Sequence, residues 1–307
     1  MNFSEVLSQM GVLFLLLAIG FIAAKCHILT ESSNRMLTKL ILYIAQPGLM
    51  LSSILAARSS VGSDAVVAQA FLFSLLLLGI LFVAACVLPI ALRVPSEDYG
   101  VFRFMTFIPN TSFLGYPISD AFFGSTGLFY ATIYNIPACI AQYSIGILMI
   151  AGKKGGKLDY KKMLNPTLIT SIFALVLFLL HASLPEFILK TASTLGSICT
   201  PGSMLVLGAS IAMIAPKELL CDGKSYLYAF CNLLVLPFLV WLVLRTFVRD
   251  RVLLGILVLM SAMPPAANST MFSLEYHANV KAAGRNVMLS TIFCMLTLPL
   301  LAVLLFA

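Results

Sequence analysis

Apolar runs long enough to cross a bilayer as helices, about twenty residues each, recur along this chain. Ten such runs stand between short polar connections: residues 6–24, 36–57, 66–92, 101–123, 126–151, 166–184, 187–214, 226–245, 252–274 and 285–306. Eight of them are apolar almost throughout. The fourth and the ninth are interrupted. The fourth contains Pro109-Asn110-Thr111-Ser112, and the ninth contains Pro264-Pro265 followed by Asn268-Ser269-Thr270. Proline deletes an intrahelical hydrogen bond and frees a carbonyl, and in lipid every freed backbone group must find another partner. The pattern predicts two discontinuous helices.

The composition agrees with a polytopic membrane protein. The 307 residues are 61% hydrophobic and only 10% charged, against about 25% charge in a soluble domain, and the mean hydropathy is +1.03. No basic segment precedes the first run, so a cleaved signal peptide is not expected there. The three His and seven Cys are scattered without metal-ligand spacing, so neither a metal site nor a cofactor is expected. Cys86, Cys139, Cys231 and Cys294 fall inside apolar runs and are expected to pack rather than pair. The one clearly hydrophilic stretch is residues 152–163, with Lys153, Lys154, Lys157, Lys161 and Lys162. It divides the chain into residues 1–151 and 164–307, each with five runs.

Charge placement predicts the orientation. With the N-terminus outside, the connections 1–2, 3–4, 5–6, 7–8 and 9–10 and their flanks face the cytoplasm. They hold Lys25, Arg35, Lys39, Arg93, Arg103, the five linker lysines, Lys217, Lys224, Lys281 and Arg285, which is 14 of the 19 basic residues. Arg58, Lys190, Arg245, Arg249 and Arg251 remain outside. That asymmetry satisfies the positive-inside rule, places both termini outside and makes the linker a cytoplasmic loop of a multi-pass cell-membrane protein.

The two halves repeat. Gln46-Pro47-Gly48 resembles Thr200-Pro201-Gly202 at an offset of 154, Pro109 and Pro264 differ by 155, and Asn110 and Asn268 by 158. An odd number of spans per half turns the second half upside down. An inverted repeat with broken helices at matching places points to a transporter with a midplane binding site.

At Asn110-Thr-Ser-Phe-Leu-Gly-Tyr-Pro117 and Ala262-Met-Pro-Pro-Ala-Ala-Asn268 the chain resembles the auxin efflux carrier family, membrane transport proteins that include plant PIN carriers and bacterial malonate-type permeases. The likeness extends to Pro47, to Pro201 with Leu207-Gly208-Ala209-Ser210, and to Glu275-Tyr276, and covers nearly the whole chain. It implies an all-α fold of two inverted five-helix repeats, shared with bile-acid-sodium symporter proteins, in which spans 4 and 9 unwind and cross. It further implies a scaffold of spans 1, 2, 6 and 7, a mobile domain of spans 3–5 and 8–10, elevator-like transport of small organic anions, and dimerisation through the scaffold. The lipid bilayer is then the surrounding partner, and no nucleic acid is expected.

The residue chemistry suits a carboxylate. A broken helix exposes unpaired N–H groups and a partial positive charge at the start of its second half, so an anion can be held without a buried Lys or Arg. Asn110 and Asn268 either meet the substrate or close the gaps left by Pro109, Pro264 and Pro265, since an amide both donates and accepts. Thr111, Ser112, Ser269 and Thr270 offer hydroxyls to the substrate or to a carbonyl one turn back. Tyr116 lines the cavity or packs beside Gly115. Pro47 and Pro201 are expected to kink scaffold helices, Gln46 to face the cavity, and Gln142 to bond between helices. Asp120 is a candidate for proton coupling or a helix-end charge in water; Glu275, His181 and His277 lie near span ends.

Sodium symporters of the related fold carry an acid inside the ninth-span crossover, whereas residues 261–273 contain none. Efflux driven by membrane potential or protons is therefore expected. An H⁺- or Na⁺-coupled dicarboxylate importer and a ligand-sensing membrane protein are the alternatives. An intramembrane enzyme lacks its signatures here: there is no GxSxG, no HExxH and no paired acids within the spans.

Overall fold

The computed structural model describes residues 3–57, 64–152, 166–182, 184–213, 223–266 and 268–306. Most of the hydrophilic linker, with Arg58 and Lys217, lies outside the described residues. Among the described residues all regular structure is helical, with one isolated antiparallel bridge. The helices are α1 (Phe3–Lys25), α2 (Glu31–Ala56), α3 (Asp64–Ala91), α4 (Tyr99–Phe107), α5 (Thr111–Ala151), α6 (Pro166–Leu179), α7 (Glu186–Ala212), α8 (Gly223–Leu244), α9 (Arg251–Ser261), α10 (Ser269–Glu275) and α11 (Val280–Phe306).

Six helices among the described residues are long and apolar enough to cross a membrane: Glu31–Ala56, Ala65–Ala91, Thr111–Ala151, Glu186–Ala212, Gly223–Leu244 and Val280–Leu301. Of the remaining expected spans, the first meets the 23-residue α1 and the sixth the shorter α6. The fourth and ninth are cut by their prolines, which leaves α4, α9 and α10 short. The later part of the fourth joins the fifth in α5, where Gly124 takes φ 57° and ψ −149°. That backbone is open to glycine and strained for other residues, so the connection needs no loop.

The chain forms two compact units, each drawing on both sequence halves. Unit 1 comprises residues 1–71, 112–136 and 164–214; unit 2 comprises 72–111, 137–163 and 215–307. In unit 1, α1 packs along the second part of α7. A Cβ on Gly208 would stand 2.0 Å from the Leu17 carbonyl oxygen, and one on Gly20 2.4 Å from that of Leu205. Two backbones in contact through small residues is how membrane helices associate without a hydrophobic drive. Asn34 Nδ2 donates to Ser210 Oγ at 3.0 Å, tying α2 to α7.

In α2 a π-helical turn, Ile41–Ala45, precedes Pro47. The Gln46 N–H bonds the Ile41 carbonyl in the i to i−5 pattern. Continuing that pattern, the missing N–H of Pro47 would have bonded Leu42. The Thr167 hydroxyl fills the vacancy, 3.1 Å from the Leu42 oxygen. Pro201 stands in the first turn of the helix Cys199–Ala212, where a missing N–H costs little.

Unit 2 comprises α4, α8, α9, α10 and α11 with most of α3 and the end of α5. Its core includes Val101, Phe102, Met105, Tyr228 and Ala283. Phe272 of α10 sits 5.3 Å from Phe104 of α4 and 5.7 Å from Tyr143 of α5, centroid to centroid. These rings fix α10 against α4 beside the two breaks.

Candidate functional site: the proline crossover

The two breaks meet inside unit 2. Pro109 and Pro265 face each other in an antiparallel bridge. The Asn110 N–H donates to the Pro264 carbonyl at 2.7 Å, and the Ala266 N–H donates to the Ile108 carbonyl at 3.1 Å. The two prolines thus occupy the non-hydrogen-bonded pair of a minimal ladder, whose own N–H groups point away from the partner strand. Proline has no N–H to lose there. Ile108 is extended, φ −117° and ψ 91°, as expected before a proline, and Pro264 stands before another.

The backbone demand set by lipid is therefore met by main chain against main chain. Ile108, Pro109, Asn110, Pro264 and Pro265 are all buried, and four polar backbone groups are paired by two bonds. The two bonds exchange under an offset of 156 residues, Pro109 to Pro265. On the local two-fold of the bridge Asn110 matches Ala266, two residues short of the Asn268 that the sequence spacing sets beside it.

Asn110 and Asn268 thus hold different positions. Asn110 is 5% exposed and its N–H forms half of the bridge. Asn268 is half-buried, at the N-cap position of α10, yet its side chain makes no cap bond. Its Oδ1 is buried without a hydrogen-bond partner, while its carbonyl accepts from the Phe272 N–H. Rotation about χ2 turns that carboxamide from acceptor to donor, so it can answer either kind of ligand atom.

The hydroxyls divide. Ser269 is fully buried and donates to the Ala266 carbonyl at 2.6 Å, and Ser273 donates to the Ser269 carbonyl at 2.8 Å. Ser269 therefore serves the bend itself. Thr111 is buried, with its N–H on the Pro109 carbonyl; Thr270 is half-buried, and Gly284 approaches its methyl. The second half-helix, α10, has seven residues and is only about 10 Å long. Its aligned peptide dipoles are few, so side chains and open N–H groups carry most of any attraction for an anion.

Ser112, Tyr116, Asp120, Gln46, Pro47 and Pro201 belong to unit 1. Gln46 is fully buried and used at both ends: Nε2 donates to the Ser112 carbonyl at 2.8 Å, and Oε1 lies 3.3 Å from the Thr167 hydroxyl. It supports the first turn of α5. Tyr116 is fully buried and Asp120 half-buried, and Ser119 donates to the Gly115 carbonyl at 2.6 Å.

Unit 2 also buries Asn232, Asn286 and Ser290, each with an oxygen that has no partner. Sequence reasoning passed over them. Their only signal is a lone polar residue in an apolar run.

Residues 107–116 and 261–273 carry no basic side chain, so the crossover offers only neutral side-chain donors, set among apolar helices. The chain belongs to the membrane transport protein family, the auxin efflux carrier group: the family model matches residues 5–160 and 155–302. It is 25% identical over 300 residues to an uncharacterized transporter of Methanocaldococcus jannaschii, covering 94% of this chain and 95% of that protein. It is also 25% identical over 302 residues to an uncharacterized transporter of Methanothermobacter thermautotrophicus, covering 96% and 97%. The protein is a multi-pass membrane transporter.

Proposed function

We propose that this protein is a secondary transporter of small organic anions, carboxylates above all, that exports them by elevator-type alternating access. The carrying observation is the Pro109–Pro265 bridge, which joins the two helix breaks inside unit 2, with Asn110 next to one proline and Asn268 three residues past the other. A carboxylate there meets amide and hydroxyl donors without the cost of burying a Lys or Arg.

Ten spans in two inverted repeats fit the same landmarks. The bridged Pro109 and Pro265 are 156 apart, and Pro47 and Pro201 are 154 apart. The helices Glu31–Ala56 and Glu186–Ala212 begin 155 and end 156 residues apart. The π turn before Pro47 has its counterpart in the irregular Ser197–Ile198 before Pro201. On this proposal both termini lie outside the cell membrane, and the repeats are residues 1–151 and 164–307.

Coupling to membrane potential is favoured over Na⁺ because residues 261–273 carry no acid to hold the cation. One charge crossing 100 mV gains about 2.3 kcal/mol. The test is flux of radiolabelled malonate and of a monocarboxylate from proteoliposomes under an imposed voltage, a pH step or a Na⁺ gradient. Voltage- or proton-driven efflux that is lost in Asn110→Ala and Asn268→Ala is the expected result. Strict Na⁺ dependence would reassign the protein as a symporting importer. Absence of flux, with carboxylates still stabilising the protein, would make it a sensor.

A further inference from the structure

Unit 2 contains a cavity of 390 Å³ to which no crossover residue contributes. Its charged lining is Lys224, Arg285 and Asp98, and its apolar lining includes Val94, Phe102 and Leu227. We propose that this cavity binds a phosphate ester anion, as the headgroup of an anionic phospholipid presents it, separately from any transported substrate.

The exposed Lys224 is anchored by the fold. Lys224 is the second residue of α8, and its Nζ donates to the Arg93 carbonyl at 2.9 Å. Arg93 itself takes φ 49° just past the end of α3, so the ammonium is docked at a helix C-terminus, where a cation is favoured. An ammonium has three donors, and that bond uses one. Arg285 is half-buried on α11 and offers a forked guanidinium, the group best matched to phosphate oxygens. The carboxylate is already engaged: Asp98 Oδ1 accepts from Asn279 Nδ2 at 2.9 Å, while Asn279 Oδ1 caps α11 through the Ala282 N–H at 3.1 Å. The lining therefore carries one net positive charge and favours a singly charged phosphodiester.

The walls and the approach are lipid-like. Val94 and Phe102 are buried, whereas Leu227 and, three residues on, Phe230 expose about half their surface. These exposed side chains give an acyl chain an apolar path along α8 from the cationic mouth. The volume lies in the range of small-ligand sites, about 300–1,000 Å³. Basic pockets between membrane helices recognise lipid phosphates by the same chemistry.

The experiment measures the melting midpoint of the purified protein in neutral detergent, titrated with phosphatidylglycerol, phosphatidylcholine or inorganic phosphate. Phosphatidylglycerol is expected to raise the midpoint by several degrees. Phosphatidylcholine is expected to do little, because its choline would meet Lys224 and Arg285. Lys224→Gln and Arg285→Gln should each weaken the phosphatidylglycerol response about tenfold or more, as expected for a lost charge-assisted contact. Lys224→Arg should keep the response, and Lys190→Gln, a surface cation of unit 1 paired with Glu186, should leave it intact. Competition by inorganic phosphate at millimolar concentration would identify a soluble phosphate as the ligand; no competition identifies the lipid. Equal responses to the two lipids, equal losses in Lys190→Gln, or full responses in both Lys224→Gln and Arg285→Gln would overturn the proposal.

Discussion

Replacing Pro265 with alanine probes the crossover directly. The substitution keeps an apolar residue of similar burial but returns an N–H at a position of the bridge that faces away from its partner strand. Pro265 is buried, and a buried donor left without an acceptor costs about 1–3 kcal/mol. Loss of the fixed φ adds about 0.4–1 kcal/mol through the unfolded chain. The expected destabilisation is thus roughly 1.5–4 kcal/mol, a fall of several degrees in the melting midpoint at about 2–4 °C per kcal/mol. Pro109→Ala should cost a similar amount, because the bridge exchanges the two positions. The double variant should cost less than the two singles added, since neighbours in one network couple. Pro47→Ala is the control: there the new N–H faces the Leu42 carbonyl that Thr167 now serves, and the midpoint should change by less than about 1 kcal/mol equivalent. Thermal melts in detergent, with and without a stabilising carboxylate, read all four. If Pro265→Ala melts no lower than Pro47→Ala, the bridge does not hold the breaks together and the reasoning fails.

Other outcomes follow from the same geometry. Asn110→Ala and Asn268→Ala should reduce carboxylate-induced stabilisation while expression stays near wild type, read by thermal shift against mono- and dicarboxylates; unchanged binding in both removes these amides from the site. Thr167→Val should lower the midpoint by the equivalent of about 1–3 kcal/mol, because one hydroxyl now serves the Leu42 carbonyl and reaches Gln46 Oε1. Gly208→Ala should cost about 1–3 kcal/mol or more by overpacking against a backbone that cannot yield. Gly79→Ala, with nothing within 4 Å of the new Cβ, should gain about 0.5–1 kcal/mol; equal effects of the two glycine changes on yield and midpoint would contradict the close α1–α7 packing.

The two helix breaks were legible because their signals are local. Proline clustered with Asn and hydroxyl residues inside an apolar run marks the two breaks at Pro109 and Pro265, whereas the lone Pro89, Pro137 and Pro299 lie inside continuous helices. Gln46 was harder to place: beside a proline in a membrane helix it suggests a cavity wall, but Ser112 and Thr167, 66 and 121 residues away, take both ends of its amide. Ser269 likewise offered a hydroxyl to either a ligand or a carbonyl, and only the bend geometry gave it to Ala266. Asn232, Asn286 and Ser290 escaped notice because a single polar residue does not perturb the apolar period of its helix.

The chain by itself determined that it lives in a membrane and where its helices break, because hydropathy and proline act on the residues that carry them. Only the tertiary structure decided which backbone atoms close the breaks, in a register that bonds Asn110 to Pro264 and Ala266 to Ile108 and leaves the Asn268 amide oxygen without a partner. Hydrogen-bond register depends on how two distant segments slide past each other, and that sliding distance is set by packing such as Phe104 on Phe272, not by the spacing of letters along the chain.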